Sequence, residues 1–175
     1  MQDAQFILKT ERLVLRKMSF DDAPFILELL NDPAFLRNIG DKSVRTLEDA
    51  KNYILTGPMA SYENFGFGLY LTELRESGVP VGICGLVKRE TLEHADVGFA
   101  FMPQYCGKGF ATESAAAVLK LGKTKFRLER IVAIVSPDNE ASINVLQKLG
   151  MCFEEMIQMS PNAEPCALYG PSPAS

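Results

Sequence analysis

Two periodicities of hydrophobic residues alternate along the chain, and each predicts a different kind of element. A two-residue alternation or a short apolar run predicts strands over residues 6–16, 65–73, 79–88, 96–102, 130–135, 151–159 and 166–169. A helical period bounded by capping residues predicts helices from Ser19 to about residue 32, from Thr46 to Gly57, and over residues 110–126 and 140–149. The order of these elements predicts an α/β fold of the α+β type.

One pair of strands is predicted to run parallel. A single long helix joins strand 96–102 to strand 130–135, and a connection of this kind joins parallel strands. Pro103 ends the first of them, because proline has no N–H to donate to a neighbouring strand. No other connection requires a parallel pair. We therefore expect a mixed, mostly antiparallel sheet in one domain over residues 1–170, followed by a flexible tail at 171–175.

Composition and charge exclude several classes of protein. The chain has 175 residues, of which 47% are hydrophobic and 23% are charged, as in one globular domain. Its net charge of −4 argues against nucleic acid as a partner. The chain has neither a long apolar run nor a signal-peptide pattern, which predicts a cytoplasmic protein without membrane association. One histidine, and four cysteines without a C-x-x-C pair, leave no metal site to propose.

The charges are distributed unevenly, and a glycine-containing loop lies where the basic segment begins. Residues 104–130 carry six bases and two acids, so this segment is +4 and the remainder of the chain is −8. The loop, Q-Y-C-G-K-G-F-A-T over residues 104–112, lies between a strand and a helix. Its two glycines allow a tight turn, and N–H groups at a helix N-terminus attract phosphate. The segment indicates either a solvated basic helix or an anion site, and the loop favours the anion site.

The loop differs from two common phosphate-binding motifs. A Walker A loop needs G-x-x-x-x-G-K-[ST], which the chain lacks. A dinucleotide fingerprint needs Gly or Ala where the chain has Thr112, and the acid that follows, Glu129, precedes the second strand instead of ending it. A nucleotide-binding Rossmann protein stays an alternative, which affinity for NAD without affinity for CoA would support.

Two further motifs accompany the loop pattern Q-x-x-G-x-G. One is N-x-x-S-x-x-V-x-x-K-L-G-M from Asn139 to Met151, and the other is T-E-R-L-V-L-R at residues 10–16. Together they resemble the GNAT superfamily of N-acetyltransferases, in particular the branch that acetylates N-termini of ribosomal proteins. The resemblance covers residues 8–170. It implies a GNAT-like domain with helices on both faces of a twisted sheet, and acetyl-CoA as co-substrate bound where the central parallel strands splay apart.

The resemblance also implies where acetyl-CoA binds. Its pyrophosphate would rest on the loop N–H groups, and its pantetheine arm would lie between the parallel strands, bonded to the backbone of Phe101 and Met102. Asn139 would hold the arm from the other side, and Ser142 would lie near the sulfur. The implied cofactor-binding residues are Phe101, Met102, Gln104, Cys106, Gly107, Lys108, Gly109, Phe110, Ala111, Thr112, Asn139 and Ser142. From the residues alone, Asn139 could equally cap a helix.

The reaction that the resemblance implies is direct attack of a primary amine on the thioester. Many members of the superfamily have a tyrosine acid four residues after the position of Ser142, where this chain has Leu146. Ser142 is therefore the candidate catalytic proton donor. Asp96 is the candidate catalytic base, and Glu93 and His94 are neighbours that could also face the cleft.

We therefore expect an acetyl-CoA-dependent N-acetyltransferase of a protein N-terminal amine, as a monomer or homodimer. An α-amine suits the reaction because its pKa of about 7.7–8.0 is far below the value of about 10.4 for lysine. The acidic remainder of the chain also suits a small cationic amine, such as a polyamine or an aminoglycoside. A non-catalytic acyl-CoA-binding module is a further alternative, because the tyrosine acid is absent.

Overall fold

Eight strands form one sheet within residues 6–173, the part of the chain that the computed structural model describes. The strands are β1 Phe6–Lys9, β2 Leu13–Arg16, β3 Leu69–Leu74, β4 Pro80–Val87, β5 Ala95–Phe101, β6 Ile131–Val135, β7 Met151–Ile157 and β8 Cys166–Pro171. The helices are α1 Ala23–Leu30, α2 Pro33–Asn38, α3 Leu47–Ile54, α4 Ala60–Phe65, α5 Phe110–Thr124 and α6 Glu140–Lys148. None of these helices has both the length and the apolar character that a membrane crossing requires.

The strand order across the sheet is β1-β2-β3-β4-β5-β6-β8-β7, and β5–β6 is the parallel pair that the sequence predicts. The other neighbours run antiparallel, so the predicted fold class is confirmed. The parallel pairing is short, because it joins only Ala95 to Ile131 and Asp96 to Val132. Beyond that point β6 continues by pairing with β8 on its far side. The two central strands therefore separate, and an opening begins between them.

Helices cover both faces of the sheet, as predicted. Neighbouring residues of a strand point to opposite faces, so Tyr70 packs into the core beneath α5 whereas Leu71 packs into the core beneath α1 and α3. Val118 of α5 and Ile26 of α1 are fully buried in these two cores. The first core holds the helix that follows the glycine loop, and the second holds α1–α3 over the opposite face.

The start of the chain differs from the prediction in two places. The strand predicted over residues 6–16 is a hairpin of β1 and β2, because the Thr10 N–H donates to Leu13 O (2.9 Å) and turns the chain. The first helix ends at Leu30, close to the predicted end, but Asp32 then caps a second helix, α2, which was not predicted. Its carboxylate accepts hydrogen bonds from the Ala34 N–H (3.0 Å) and from the N–H that follows, which caps the new helix.

The helix predicted to end at Gly57 continues further. It passes through a π-helical turn, Leu55–Met59, into α4. Because a π-helical turn disrupts the regular backbone hydrogen bonds, Pro58 is accommodated there although it has no N–H. Gly66, with φ of +81°, then ends α4, so the strand predicted over 65–73 begins only with β3.

The predicted tail begins too early. Pro171 belongs to β8 and lies opposite Met151, and the Ser172 N–H donates to Gly150 O (3.0 Å). The proline- and serine-rich ending gives no local signal for a strand, so this pairing depends on the presence of β7. Residues 1–5 and 174–175, which belong to the predicted domain and tail, lie outside the described part of the chain.

Gly82→Ala is expected to lower the free energy of unfolding by about 1–3 kcal/mol, because it overpacks the β4–β5 contact. A Cβ at Gly82 would lie 2.4 Å from the backbone O of Ala100, in the part of β5 that borders the opening. Gly57→Ala is the control, since nothing lies within 4 Å of its added Cβ. Denaturant unfolding measures both variants, and equal stabilities would contradict the expectation.

Candidate active site

The opening between β5 and β6 exposes one backbone edge of β5. The Met102 N–H donates to Val81 O of β4 (2.9 Å). Because successive N–H groups alternate between the two sides of a strand, those of Phe99 and Phe101 point away from β4 and toward the opening. An extended molecule in the opening could therefore pair with β5 as another strand would.

Met102 does not belong to this edge, which corrects its predicted role. Its N–H is bonded to β4, and its carbonyl accepts a hydrogen bond from the Tyr105 N–H (2.9 Å). Its side chain is buried in the core beneath α1 and α3. The alternation along β5 places Phe101 at the opening and its neighbour Met102 against β4.

The glycine loop brings the N-terminus of α5 to this opening. Gly107 and Gly109 have φ of +74° and +83°, in the left-handed region that other residues disfavour. The first N–H groups of α5 have no partner within the helix. A cavity of about 370 Å³ adjoins them, and its lining includes Cys106, Gly107, Gly109, Phe110, Ala111 and Thr112. A helix N-terminus attracts anions, so this cavity has the chemistry that a pyrophosphate requires.

Two residues predicted to supply side chains to the pyrophosphate, Gln104 and Lys108, do not line this cavity. The Lys108 ammonium lies 5.6 Å from the centre of the Tyr105 ring. Lys108 therefore adds positive charge near the cavity without lining it. Other residues of the loop form the cavity wall.

Arg12, to which the sequence assigned no role, fastens the loop to the first hairpin. Its guanidinium donates to the Glu113 carboxylate (Nε–Oε2 2.7 Å) and to Lys108 O (2.9 Å), and lies over the Phe110 ring. The Arg12 N–H and the Thr10 hydroxyl donate to the other carboxylate oxygen of Glu113, at 2.8 and 2.6 Å. Partial burial raises the pKa of Glu113, but these hydrogen bonds outweigh it and lower the pKa overall. The charged carboxylate thus holds the first turn of α5 and the loop together.

A larger cavity, of about 970 Å³, continues from the smaller one. Both are lined by Phe99, Ala100, Asn139 and Ser142, so they form one cleft. The larger part extends to α2, α3 and the connection between β7 and β8. The cleft runs from the N-terminus of α5, along the free edge of β5, into a space that can hold a second molecule.

Asn139 and Ser142 lie where the two cavities meet. Asn139 caps α6, since its Oδ1 accepts the Ser142 N–H (3.2 Å), and its Nδ2 donates to Ser142 Oγ (2.9 Å). Asn139 therefore caps α6 and lines the cleft at the same time, so its two predicted roles do not exclude each other. Because Ser142 Oγ accepts this hydrogen bond, its own proton is available for donation into the cleft.

Asp96 is the last residue of β5 that pairs with β6, and its side chain lines the larger cavity. It is 1% exposed, and its Oδ1 lies 2.9 Å from Arg89 Nε. Burial raises the pKa of Asp96, and the charge of Arg89 only partly opposes this. Glu93 and His94, the other candidates for a base, do not line either cavity, and the Glu93 side chain is 89% exposed.

The anion site, the strand-like edge and the second cavity meet beside the Ser142 hydroxyl, and the second cavity also contains the Asp96 carboxylate. This arrangement suits transfer of a group between two bound molecules. Residues 12–152 match the acetyltransferase (GNAT) domain, and the chain belongs to that family. Over 144 residues it is 31% identical to the uncharacterized N-acetyltransferase YnaD of Bacillus subtilis, covering 82% of this chain and 81% of that one.

Solved structures agree with this assignment. A GNAT-family acetyltransferase from Bacillus anthracis is 30% identical with a TM-score of 0.76, covering 95% of this chain and 97% of that one. RimL, a ribosomal L7/L12 alpha-N-protein acetyltransferase in complex with coenzyme A, shares the fold with a TM-score of 0.81 at 17% identity, covering 95% and 97%. The predicted family, acyltransferase class and acetyl-CoA co-substrate are confirmed.

Arg12→Met is expected to weaken acetyl-CoA binding about tenfold, because the loop loses charge-assisted hydrogen bonds that hold its shape. Calorimetric titration with acetyl-CoA measures the change. Lys120→Met is the control, since it removes the same charge from an exposed position of α5 outside both cavities. An equal loss of affinity in both variants would assign the effect to net charge and contradict the role of the hydrogen bonds.

Proposed function

We propose that the protein transfers the acetyl group of acetyl-CoA to the α-amine of a protein N-terminus. The observation that best supports this is the single cleft, which joins a helix N-terminus to a cavity of about 970 Å³ past Ser142 and Asp96. Proteins of the same fold include acetyltransferases of ribosomal proteins, which makes a protein N-terminus the first acceptor to test.

The smaller cavity is the proposed binding site for the pyrophosphate and the pantetheine arm of acetyl-CoA. The N–H groups between Cys106 and Thr112 would hold the pyrophosphate, and the Phe101 N–H, which points away from β4, would donate to the pantetheine arm. Asn139 faces the arm from the other side of the cleft. This arrangement leaves the thioester beside Ser142, at the entrance to the larger cavity.

The proposed chemistry needs two proton movements. The acceptor amine gives its proton to Asp96 and attacks the thioester carbonyl, so that the new C–N bond forms and the C–S bond breaks. Ser142 donates its proton to the leaving thiolate, which becomes a thiol, and takes up in exchange the second proton that the nitrogen loses as it becomes an amide, so that the serine ends as a neutral hydroxyl. A thiol has a pKa of about 8.5, so its thiolate is a good leaving group and needs little assistance. Holding the amine and the carbonyl together is then the larger part of catalysis.

Leu146 limits which residue can act as the acid. It occupies the position of the tyrosine acid found in many relatives, and its apolar side chain is buried at 1% exposure. Ser142, one helical turn earlier, is the hydroxyl that remains at this place in the cleft. The same departure makes a non-catalytic acyl-CoA-binding module the alternative that an assay must exclude.

Release of free CoA thiol is expected when acetyl-CoA is mixed with a peptide that has a free α-amine. Both peptides contain one internal lysine, and the matched control differs only in its formylated N-terminus. The control is expected to release almost no thiol, because lysine is mostly protonated at neutral pH. Equal rates with both peptides would identify the ε-amine as the acceptor. Binding of acetyl-CoA without thiol release from any amine would support the non-catalytic module instead.

Asp96→Asn is expected to lower kcat about 100-fold and to remove the acidic limb of the pH profile, because the proposed base is lost. Since burial raises the pKa of Asp96, the wild-type kcat should fall, as the pH is lowered, at a higher pH than an ordinary aspartate would give. Ser142→Ala should lower kcat and keep that limb. Glu93→Gln, a matched change at an exposed position, should alter neither. An unchanged acidic limb in Asp96→Asn would assign the base elsewhere.

A further inference from the structure

We infer that the acceptor carries an anionic group, a carboxylate or a phosphate, that binds Lys42 and Arg37 on the α2–α3 side of the larger cavity. For a protein N-terminus, this group is the side chain of an acidic residue at the second or third position. The inference rests on the proposed function, because it describes the acceptor of the same cleft.

Charged side chains divide the wall of the larger cavity into two sides. Arg37, Lys42 and Arg89 line the side formed by α2, the segment after it and the end of β4. Asp138 and Glu164 line the side formed by the connections β6–α6 and β7–β8. The opening between β5 and β6 separates these sides, because α1–α3 pack on β3, β4 and the end of β5, whereas the acids flank β6 and β8.

Two of these cations have no negative partner within residues 6–173. Neither Lys42 nor Arg37 forms an ion pair there, and the acid next to Lys42 in sequence, Asp41, is bonded to Arg45. Partial burial and the nearby charge of Arg89 lower the pKa of Lys42. A cation beside another cation is stabilised when an anion binds.

Arg89 and Tyr53 also line this side of the larger cavity, and neither removes its positive charge. Arg89 is paired with Asp96, so the net positive charge comes from Lys42, Arg37 and Lys88, which also lines this cavity and whose ammonium is bonded only to the carbonyls of Arg89 and Leu92. Burial raises the pKa of Tyr53, and the charge of Arg89 only partly opposes this, so the phenol keeps its proton at neutral pH. Tyr53 thus offers a neutral O–H donor in the same cavity as the two cations, which suits a carboxylate or phosphate oxygen.

The two sides together select an acceptor with an amine at one end and a negative charge at the other. The amine must reach Ser142, where the cavities meet, and Asp96, which lines the larger cavity. The rest of the acceptor then lies in the larger cavity. A polyamine would place a second positive charge against Lys42 and would be repelled. The net negative charge of the whole chain, which favours a cationic acceptor, therefore does not describe the wall that the acceptor meets.

The test compares peptides that differ only at positions two and three, with Asp-Asp, Ser-Ser or Lys-Lys after a common N-terminal serine. Spermidine, phosphoethanolamine and free aspartate are added as small acceptors. We expect kcat/KM for thiol release to be about tenfold higher for the Asp-Asp peptide than for the Lys-Lys peptide. Lys42→Gln should reduce this ratio about fivefold, and Lys42→Glu should reverse the preference. Lys51→Gln, an exposed position of α3 outside both cavities, should leave the ratio unchanged.

Each outcome has one meaning. A preference for the Asp-Asp peptide that depends on Lys42 supports the inference for a protein acceptor. A preference for phosphoethanolamine or aspartate that depends on Lys42 supports the anion site and assigns it to a small amine. Equal rates across the panel, a preference for spermidine or the Lys-Lys peptide, or a preference unaffected by Lys42→Glu would overturn the inference and leave the transferase activity intact. Absence of thiol release from every amine would overturn the proposed function itself.

Discussion

The end of backbone pairing between β5 and β6 determines where everything else in the cleft lies. Two residue pairs hold the strands together, the second being Asp96 with Val132, and beyond them β6 pairs only with β8. The N–H groups of Phe99 and Phe101 then face a gap instead of a strand. Buried backbone groups require hydrogen-bond partners, so this edge favours an extended ligand rich in amide groups. The anion site of α5 and the carboxylate of Asp96 lie at opposite ends of the same gap.

The second strand of the first hairpin connects the two halves of the cleft. Arg12, at its start, holds the glycine loop through Glu113 and the Lys108 carbonyl. Arg16, at its end, donates to Asp22 at the start of α1 (2.8 and 2.9 Å) and to Glu73 of β3 (2.9 Å). One arginine thus fixes the glycine loop beside the smaller cavity, and the other fixes the helical layer beside the larger cavity. The T-E-R-L-V-L-R segment near the start of the chain therefore supports the cleft, although neither Arg12 nor Arg16 lines either cavity.

Short sequence motifs predicted the parts of the site whose structure is local. The two glycines, the proline that ends β5 and the Asn139–Ser142 cap each depend on a few adjacent residues, and the structure has them as expected. Met102 was misassigned because a motif does not specify which side of a strand a residue faces. The partnership of Arg12 with Glu113 joins positions 101 residues apart, so no pattern within a single element could reveal it. The cations around Lys42 could not be predicted for the same reason. Composition gives only the net charge of the whole chain, whereas the fold decides which charged side chains share one surface.

The strand order has a consequence for how the protein is made. β8, the last strand, lies between β6 and β7 and pairs with both, so the β6 side of the cleft lacks its neighbour until Cys166–Pro171 is available. On the ribosome, the cofactor loop and β5 emerge about sixty residues earlier than this final strand. Because domains are synthesised from the N-terminus, a nascent chain can assemble its phosphate cradle while the opposite wall is still incomplete. The β6 side of the cleft is therefore completed only after Cys166–Pro171 has been synthesised.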